Sequence, residues 1–302
     1  IGEMRKYAEI LKANLYSPEL KEMDKMLADY KTNKITFSDF TEYLASAAAK
    51  MKVDLAPYPN FQRQQEAKKM ESKIDFKAVD AERTKLIGML EKTANKKQIS
   101  ELVVKSLSFR MGKIGAEDFY NFLKSTAVKA RVNLAPYKNL TAYIDHLKLF
   151  SAIDTAALFE ECDQLAEAIH DKLFTTAEQR NLAKVNKDIG FLADLFELKL
   201  SSKDLEYYRA HKGELESGRF VGFFNQYANR YGIPNLPRDR FSSLDRNFSI
   251  VEDFYEAAKK RDHILIENAV NKMDQDAQDM AVLVTGGFHT EGMKALLKEK
   301  GY

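Results

Sequence analysis

The sequence predicts a mainly α protein, a helical bundle built from a 79-residue internal repeat and followed by a C-terminal βα unit that reads as part of an incomplete α/β core. Three observations predict this. Only 13 glycines and 6 prolines punctuate 302 residues in which Lys, Glu, Ala and Leu dominate, the composition of long helices with short connections. The segment "KITFSDFTEYLASAAAKMKVDLAPYPN" (34–60) returns as "KIGAEDFYNFLKSTAVKARVNLAPYKN" (113–139), with 14 of 27 positions identical. The chain then closes on "MAVLVTGGFHTEGMKALLKEKGY" (280–302), where an apolar run, two glycines and a histidine replace the charged helical pattern.

Charge and length narrow the partners. With 47 basic against 45 acidic side chains, interspersed, the net charge is +2, which offers no footprint for nucleic acid or an anionic membrane; neither is expected as a partner. A hydrophobic share of 45% can fill a substantial core. No apolar run approaches the roughly 18–20 residues that span a bilayer, and "IGEMRKYAEILKAN" is amphipathic rather than a signal core. The chain therefore reads as soluble. Its one cysteine, Cys162, excludes an intrachain disulfide and suits a reducing compartment such as the cytoplasm. Beginning at Ile1 rather than methionine, it reads as trimmed, processed or fragmentary.

The repeat continues as Ile74-Asp75 against Ile153-Asp154, and a worn third copy follows in "RFVGFFNQYANRYGIPNLPRDR". A shift of 101 residues there carries Phe119, Leu123, Ala127 and Pro136 onto Phe220, Phe224, Ala228 and Pro237. Each copy has a stripe at helical spacing: Phe40, Tyr43, Leu44 and Met51; Phe119, Phe122, Leu123 and Ala130; Phe220, Phe223, Phe224, Tyr227 and Tyr231. Each stripe predicts a helix with one buried aromatic face. Asp39 and Asp118, or Ser38, stand at the helix starts, where they can accept free N–H groups and complement the dipole. "DLAPY" and "NLAPY" end the helices, since proline lacks the N–H a helix needs and restricts the residue before it. Stacked faces of this kind can hold a peptide or another protein, but aromatics at this spacing belong more often to the core. The two prolines and mixed charges of 234–249 mark an irregular connection, which divides a helical region, 1–240, from a C-terminal segment, 241–302.

In that segment Val251, Phe254, Tyr255 and Ala258 trace one more amphipathic helix. The short β-branched run 281–286 predicts a buried strand ending at Gly286-Gly287. Thr290 is then expected as the N-cap of a helix over 291–300 that buries Met293, Leu296 and Leu297 and stops at Gly301 in a left-handed cap. His289 falls in the loop between strand and helix, the place where α/β folds bind ligands. There glycines allow close backbone approach, and an imidazole can act as base, acid or metal ligand.

"RDHILIENAV" followed by "MAVLVTGGFHTEGMKALLKEKGY" resembles the C-terminal segment of the TraB/GumN, ChaN and erythromycin-esterase-like superfamily, over about residues 251–302. By position Arg261 matches the family arginine, with Asp262 where asparagine is usual. Gly286 and His289 fill the Gly-x-x-His motif, and Gly292 the downstream glycine. The resemblance implies an α/β pocket built from two histidine motifs, with His289 and Arg261 as catalytic candidates and Gly286, Gly287, Thr290 and Gly292 as ligand-binding ones. It implies a divalent metal only in the complete protein, with His289 as the only ligand this chain offers. None of His146, His170, His211 or His263 has a glycine three residues earlier, so the first histidine motif is absent. The expected partner is accordingly a missing N-terminal half of the α/β core, or another protein.

Two other constellations carry less. His263 and Glu267 lie four apart on one helix face, a metal-binding spacing, but among charged residues that predict a solvated surface. Glu160, Glu161 and Asp163 crowd acids around Cys162, which would blunt its thiol as a nucleophile and assigns it to packing. Two functions remain: a fragment of a TraB/ChaN-like hydrolase or ligand-binding protein, with the helical region as lid or insertion and no activity in the isolated chain, or a non-catalytic helical scaffold for protein–protein interaction.

Overall fold

The computed structural model describes residues 1–285 and 287–302. Every regular element among them is a helix. In order these are α1 (Gly2–Leu15), α2 (Pro18–Lys31), α3 (Phe37–Met51), α4 (Pro59–Glu71), α5 (Phe76–Thr93), α6 (Lys96–Arg110) and α7 (Ala116–Lys129). There follow α8 (Lys138–Ser151), α9 (Thr155–Leu173), α10 (Ala177–Phe196), α11 (Ser202–His211), α12 (Ser217–Tyr231), α13 (Ser242–Gln275) and α14 (Gly287–Glu299). Among the described residues no helix is long and apolar enough to cross a membrane. The chain forms two units, one of Glu22–Leu173 and one of Ile1–Lys21 with Phe174–Tyr302.

In Glu22–Leu173 the helices are cut at the positions the sequence marks. Thr36 caps α3 in a capping box: its side chain accepts the Asp39 N–H at 3.1 Å, and the Asp39 carboxylate accepts the Thr36 N–H at 3.0 Å. The cap is thus Thr36 rather than Asp39 or Ser38. Hydrogen bonding from the Thr36 side chain, foremost, holds the Asp39 carboxyl below its ordinary range. Helix α7 starts from Gly115 without a side-chain cap, with Glu117 and Asp118 in its first turn. Both α3 and α7 close on a left-handed residue, Lys52 (φ 51°) and Arg131 (φ 54°). In the turns that follow, Asp54 accepts the Ala56 N–H and Asn133 the Ala135 N–H, each at 3.0 Å.

The predicted stripes are core. Phe40, Leu44, Phe119 and Leu123 are buried. Phe40 stacks on Tyr30 with ring centroids 4.4 Å apart, and Phe119 on Phe109 at 4.6 Å. Phe119, Tyr120 and Leu123 of α7 pack with Leu86 and Leu90 of α5 and Leu140 and Ile144 of α8 in one apolar cluster.

In the unit of Ile1–Lys21 with Phe174–Tyr302, α1 lies against α10 and α12, and α13 against α12 and α14. Phe220, Phe224 and Tyr227 line the buried face of α12. Gln179 on α10 donates to the Leu15 carbonyl at 2.9 Å, and the Tyr255 hydroxyl on α13 accepts the Leu200 N–H at 3.1 Å. The boundary expected at 240/241 falls inside this unit, because α12 and α13 share a packed face. The irregular connection is also shorter than 234–249. Phe248, Val251 and Tyr255 recur at helical spacing and are buried, so α13 already begins at Ser242. Phe254, expected on that buried face, is 46% exposed.

The largest departure is the expected strand. Residues 280–285 have no regular secondary structure, and Met280, Val282 and Val284 are 84%, 90% and 90% exposed. A strand is stable only when its N–H and C=O groups meet those of a neighbour, and the described residues contain no other strand to receive it. The helix beyond it therefore starts earlier than the expected 291, at Gly287. Gly301 takes the left-handed conformation expected of it (φ 90°), and the Tyr302 N–H returns to the Leu297 carbonyl at 2.9 Å.

Candidate functional site

Helix α13 buries the row Phe248, Val251, Tyr255, Ala258, Asp262 and Ile266. The one carboxylate in that row is Asp262, 5% exposed and set between Ala258 and Ile266, one helical turn away on either side. Helix α14 packs on α13 with Met293 buried and Leu296 and Leu297 half-buried. Gly292 faces Asp262 so closely that a Cβ there would lie 2.9 Å from the Asp262 Oδ2. The absent side chain is what admits the carboxylate between the two helices.

Across this contact His289 meets both members of the 261–262 pair. Its Nδ1 is hydrogen-bonded to the Asp262 Oδ1, and its Nε2 lies 2.8 Å from the Arg261 Nη2. Arginine has no acceptor, so Nε2 must accept from Arg261 and Nδ1 must carry the ring proton, which it donates to Asp262. In this arrangement the ring lies between a carboxylate on its Nδ1 side and a guanidinium on its Nε2 side. An aspartate behind a histidine is the arrangement that orients a general base, but here the basic nitrogen already holds a guanidinium.

Of the candidates from the sequence, Arg261, His289 and Gly292 come together with Asp262. Gly286 lies outside the described residues. Gly287 is the first residue of α14, and position 290 lies inside that helix, so Thr290 is not its N-cap. His289 belongs to the first turn of α14 rather than to a loop. The reason is the same as for the strand: without a sheet to end on, the helix extends back over the residues that would have formed the connection. Asp262 was the residue the sequence undervalued, though its place on the period Tyr255, Ala258, Asp262, Ile266 marks it as a buried carboxylate needing a partner.

A divalent metal does not fit the residues present. Both ring nitrogens of His289 are engaged, one by a cation, and among the described residues no group of three His, Cys, Asp or Glu side chains could hold a metal. His263 and Glu267 are both exposed.

Cys162 lies on α9 at 2% exposure, and its thiol is pushed up to about 12, first by burial and then by Asp163 and Glu161. It is expected to resist a disulfide reagent at pH ~8 in the native state and to react once urea unfolds the chain. The sign of its pH effect follows. The folded thiol keeps its proton while the unfolded one ionises near 9.0, so this contribution to stability is complete below about 9 and is lost as the pH rises toward about 12. Urea titrations at pH ~8 and ~10 should give a lower midpoint at the higher pH, by an amount that Cys162→Ala reduces.

Compared with known protein families, with curated proteins and with solved structures, the chain has no match.

Proposed function

We propose that the chain is part of a TraB/ChaN-like hydrolase or ligand-binding protein in which α13 and α14 carry one wall of the site, the repeated helices act as lid or insertion, and the chain alone is inactive. The observation that carries this is the meeting at one point between two helices of Arg261, His289 and Gly292, which the resemblance singles out, with Asp262, which stands where the family has asparagine. The exposed run 280–285 supports it further. Uncharged, β-branched and apolar, it has the composition of a strand awaiting a sheet, and joining one would restore the βα unit that the sequence predicts. In that setting Arg261 can turn from the imidazole to an anionic group of a ligand, freeing Nε2 to take a proton.

The test is hydrolysis of nitrophenyl esters and of casein by this chain and by a longer polypeptide that supplies the neighbouring strands. The chain alone should stay at background, and the longer form should lose about a hundredfold or more in His289→Ala. A longer form whose activity ignores His289→Ala would end the proposal.

A second reading, a duplicated non-catalytic helical scaffold, is favoured by a different observation. In Glu22–Leu173 the N-termini of α4 and α8 are held by matching groups 79 residues apart. Glu161 accepts from the Asn60 amide at 2.7 Å and the Phe61 N–H at 2.8 Å; Glu82 accepts from the Asn139 amide at 3.0 Å and the Leu140 N–H at 2.8 Å. The exchange is reciprocal, since the Asp154 N–H donates to the Asn60 Oδ1 and the Asp75 N–H to the Asn139 Oδ1. Such a scaffold would leave even the longer polypeptide without activity.

A further inference from the structure

We propose that the outward face of α6 is a docking surface for an acidic amphipathic helix of a partner protein. The inference stands apart from the site between α13 and α14. Val103, Val104 and Leu107 on one side of this helix and Met111 at its C-terminal cap are 62%, 60%, 57% and 58% exposed. Leu102 is the only residue of α6 that is buried.

A comparison inside the chain separates this stripe from accidental exposure. Helices α2 and α6 share two matching contacts 79 residues apart. Tyr30 stacks on Phe40 at an interplanar angle of 3° and Phe109 on Phe119 at 0°. The turns after them close with the same bond, Lys34 N–H to the Asp29 carbonyl and Lys113 N–H to the Ser108 carbonyl, both 2.8 Å. Where α6 carries Val103, Val104, Leu107 and Met111, α2 carries Asp24, Lys25, Ala28 and Thr32. Local packing therefore does not require apolar side chains at these places. Four of them together on α6 make a contiguous patch whose natural use is contact with another apolar surface.

The charges around the stripe select the occupant. Lys96 and Lys97 stand at its N-terminal end and Arg110 at its C-terminal end, all exposed, and none forms an ion pair among the described residues. The only acid of α6, Glu101, lies at the edge of the face. A second copy of the same face would bring cation against cation in either orientation, which disfavours self-association. A lipid surface is less favoured, since no aromatic residue lies on the stripe to enter the interface. A helix with apolar residues at i, i+3, i+4 and i+7 and glutamates beside them satisfies both features.

The test uses a labelled synthetic helix of that pattern and its counterpart with lysine for glutamate, titrated with the full chain and followed by fluorescence anisotropy. The glutamate peptide should bind at least about tenfold more tightly than the lysine peptide, and the margin should shrink as salt rises from about 50 to about 500 mM. Val104→Ser with Leu107→Ser should weaken binding about tenfold or more with an unchanged circular dichroism spectrum. If that double variant loses structure, Lys97→Glu reads the charge alone and should weaken the glutamate peptide selectively. Equal binding of the two peptides, or of neither, overturns the proposal. So does sedimentation showing dimers that the double variant abolishes, or binding to phosphatidylglycerol vesicles that is lost in the double variant while the peptides do not bind.

Discussion

Glu161→Ala is expected to destabilise the protein by about 3–5 kcal/mol, enough to lower the urea midpoint severely or prevent folding. Glu161 is 8% exposed, and its two carboxylate oxygens accept the Asn60 amide and the Phe61 N–H at the start of α4. Removing it leaves two donors without their acceptor, each costing roughly 1–3 kcal/mol, and takes a negative charge from a helix N-terminus. Glu82→Ala breaks the matching contact to Asn139 and Leu140, which is only partly buried, so water can replace the lost oxygens and the expected loss is about 1–2 kcal/mol. Urea denaturation of both variants checks the ranking. Equal losses would mean that burial does not set the strength of these contacts.

Gly292→Val should be the most damaging small change between α13 and α14, at about 3 kcal/mol. A Cβ would sit 2.9 Å from a carboxylate oxygen of Asp262, which is buried and hydrogen-bonded to His289 and cannot easily retreat. Overpacking of this kind costs about 1–3 kcal/mol, and displacing Asp262 adds the loss of a hydrogen bond to a charged group. Gly222 on α12 supplies the opposite control, because nothing lies within 4 Å of a Cβ built there. Gly222→Ala is expected to stabilise the protein by up to about 1 kcal/mol through helix propensity alone. Amide exchange of residues 292–299 reads the effect directly: those amides should exchange markedly faster in Gly292→Val and be unchanged in Gly222→Ala. Unaltered protection in Gly292→Val would show that α14 does not depend on its close approach to Asp262.

The resemblance pointed to Arg261, His289 and Gly292 through their order along the chain, but their distances depend on how α13 crosses α14. Asp262 was legible only as a period, a carboxylate on an apolar row. That it meets the imidazole, and that Arg261 meets the other ring nitrogen, required both helices in place. Along the chain, the acidic cluster around Cys162 bears only on the thiol. Its principal member, Glu161, instead caps a helix that begins a hundred residues earlier in the chain, a contact no local pattern can announce.

By itself the sequence determined the mainly α class and the apolar faces of α3, α7 and α12, because helix signals are local: stripes at a 3.6-residue period, few glycines, and prolines in the turns after α3 and α7. It also marked Gly301 as a left-handed cap, another property of a few neighbouring residues. Tertiary structure alone decided what depends on partners far along the chain: the acids that cap α4 and α8, the side chains that His289 meets, and the state of residues 280–285. That last segment has every local preference of a strand, yet a strand is completed by hydrogen bonds to a neighbour, and among the described residues of this chain there is none to supply them.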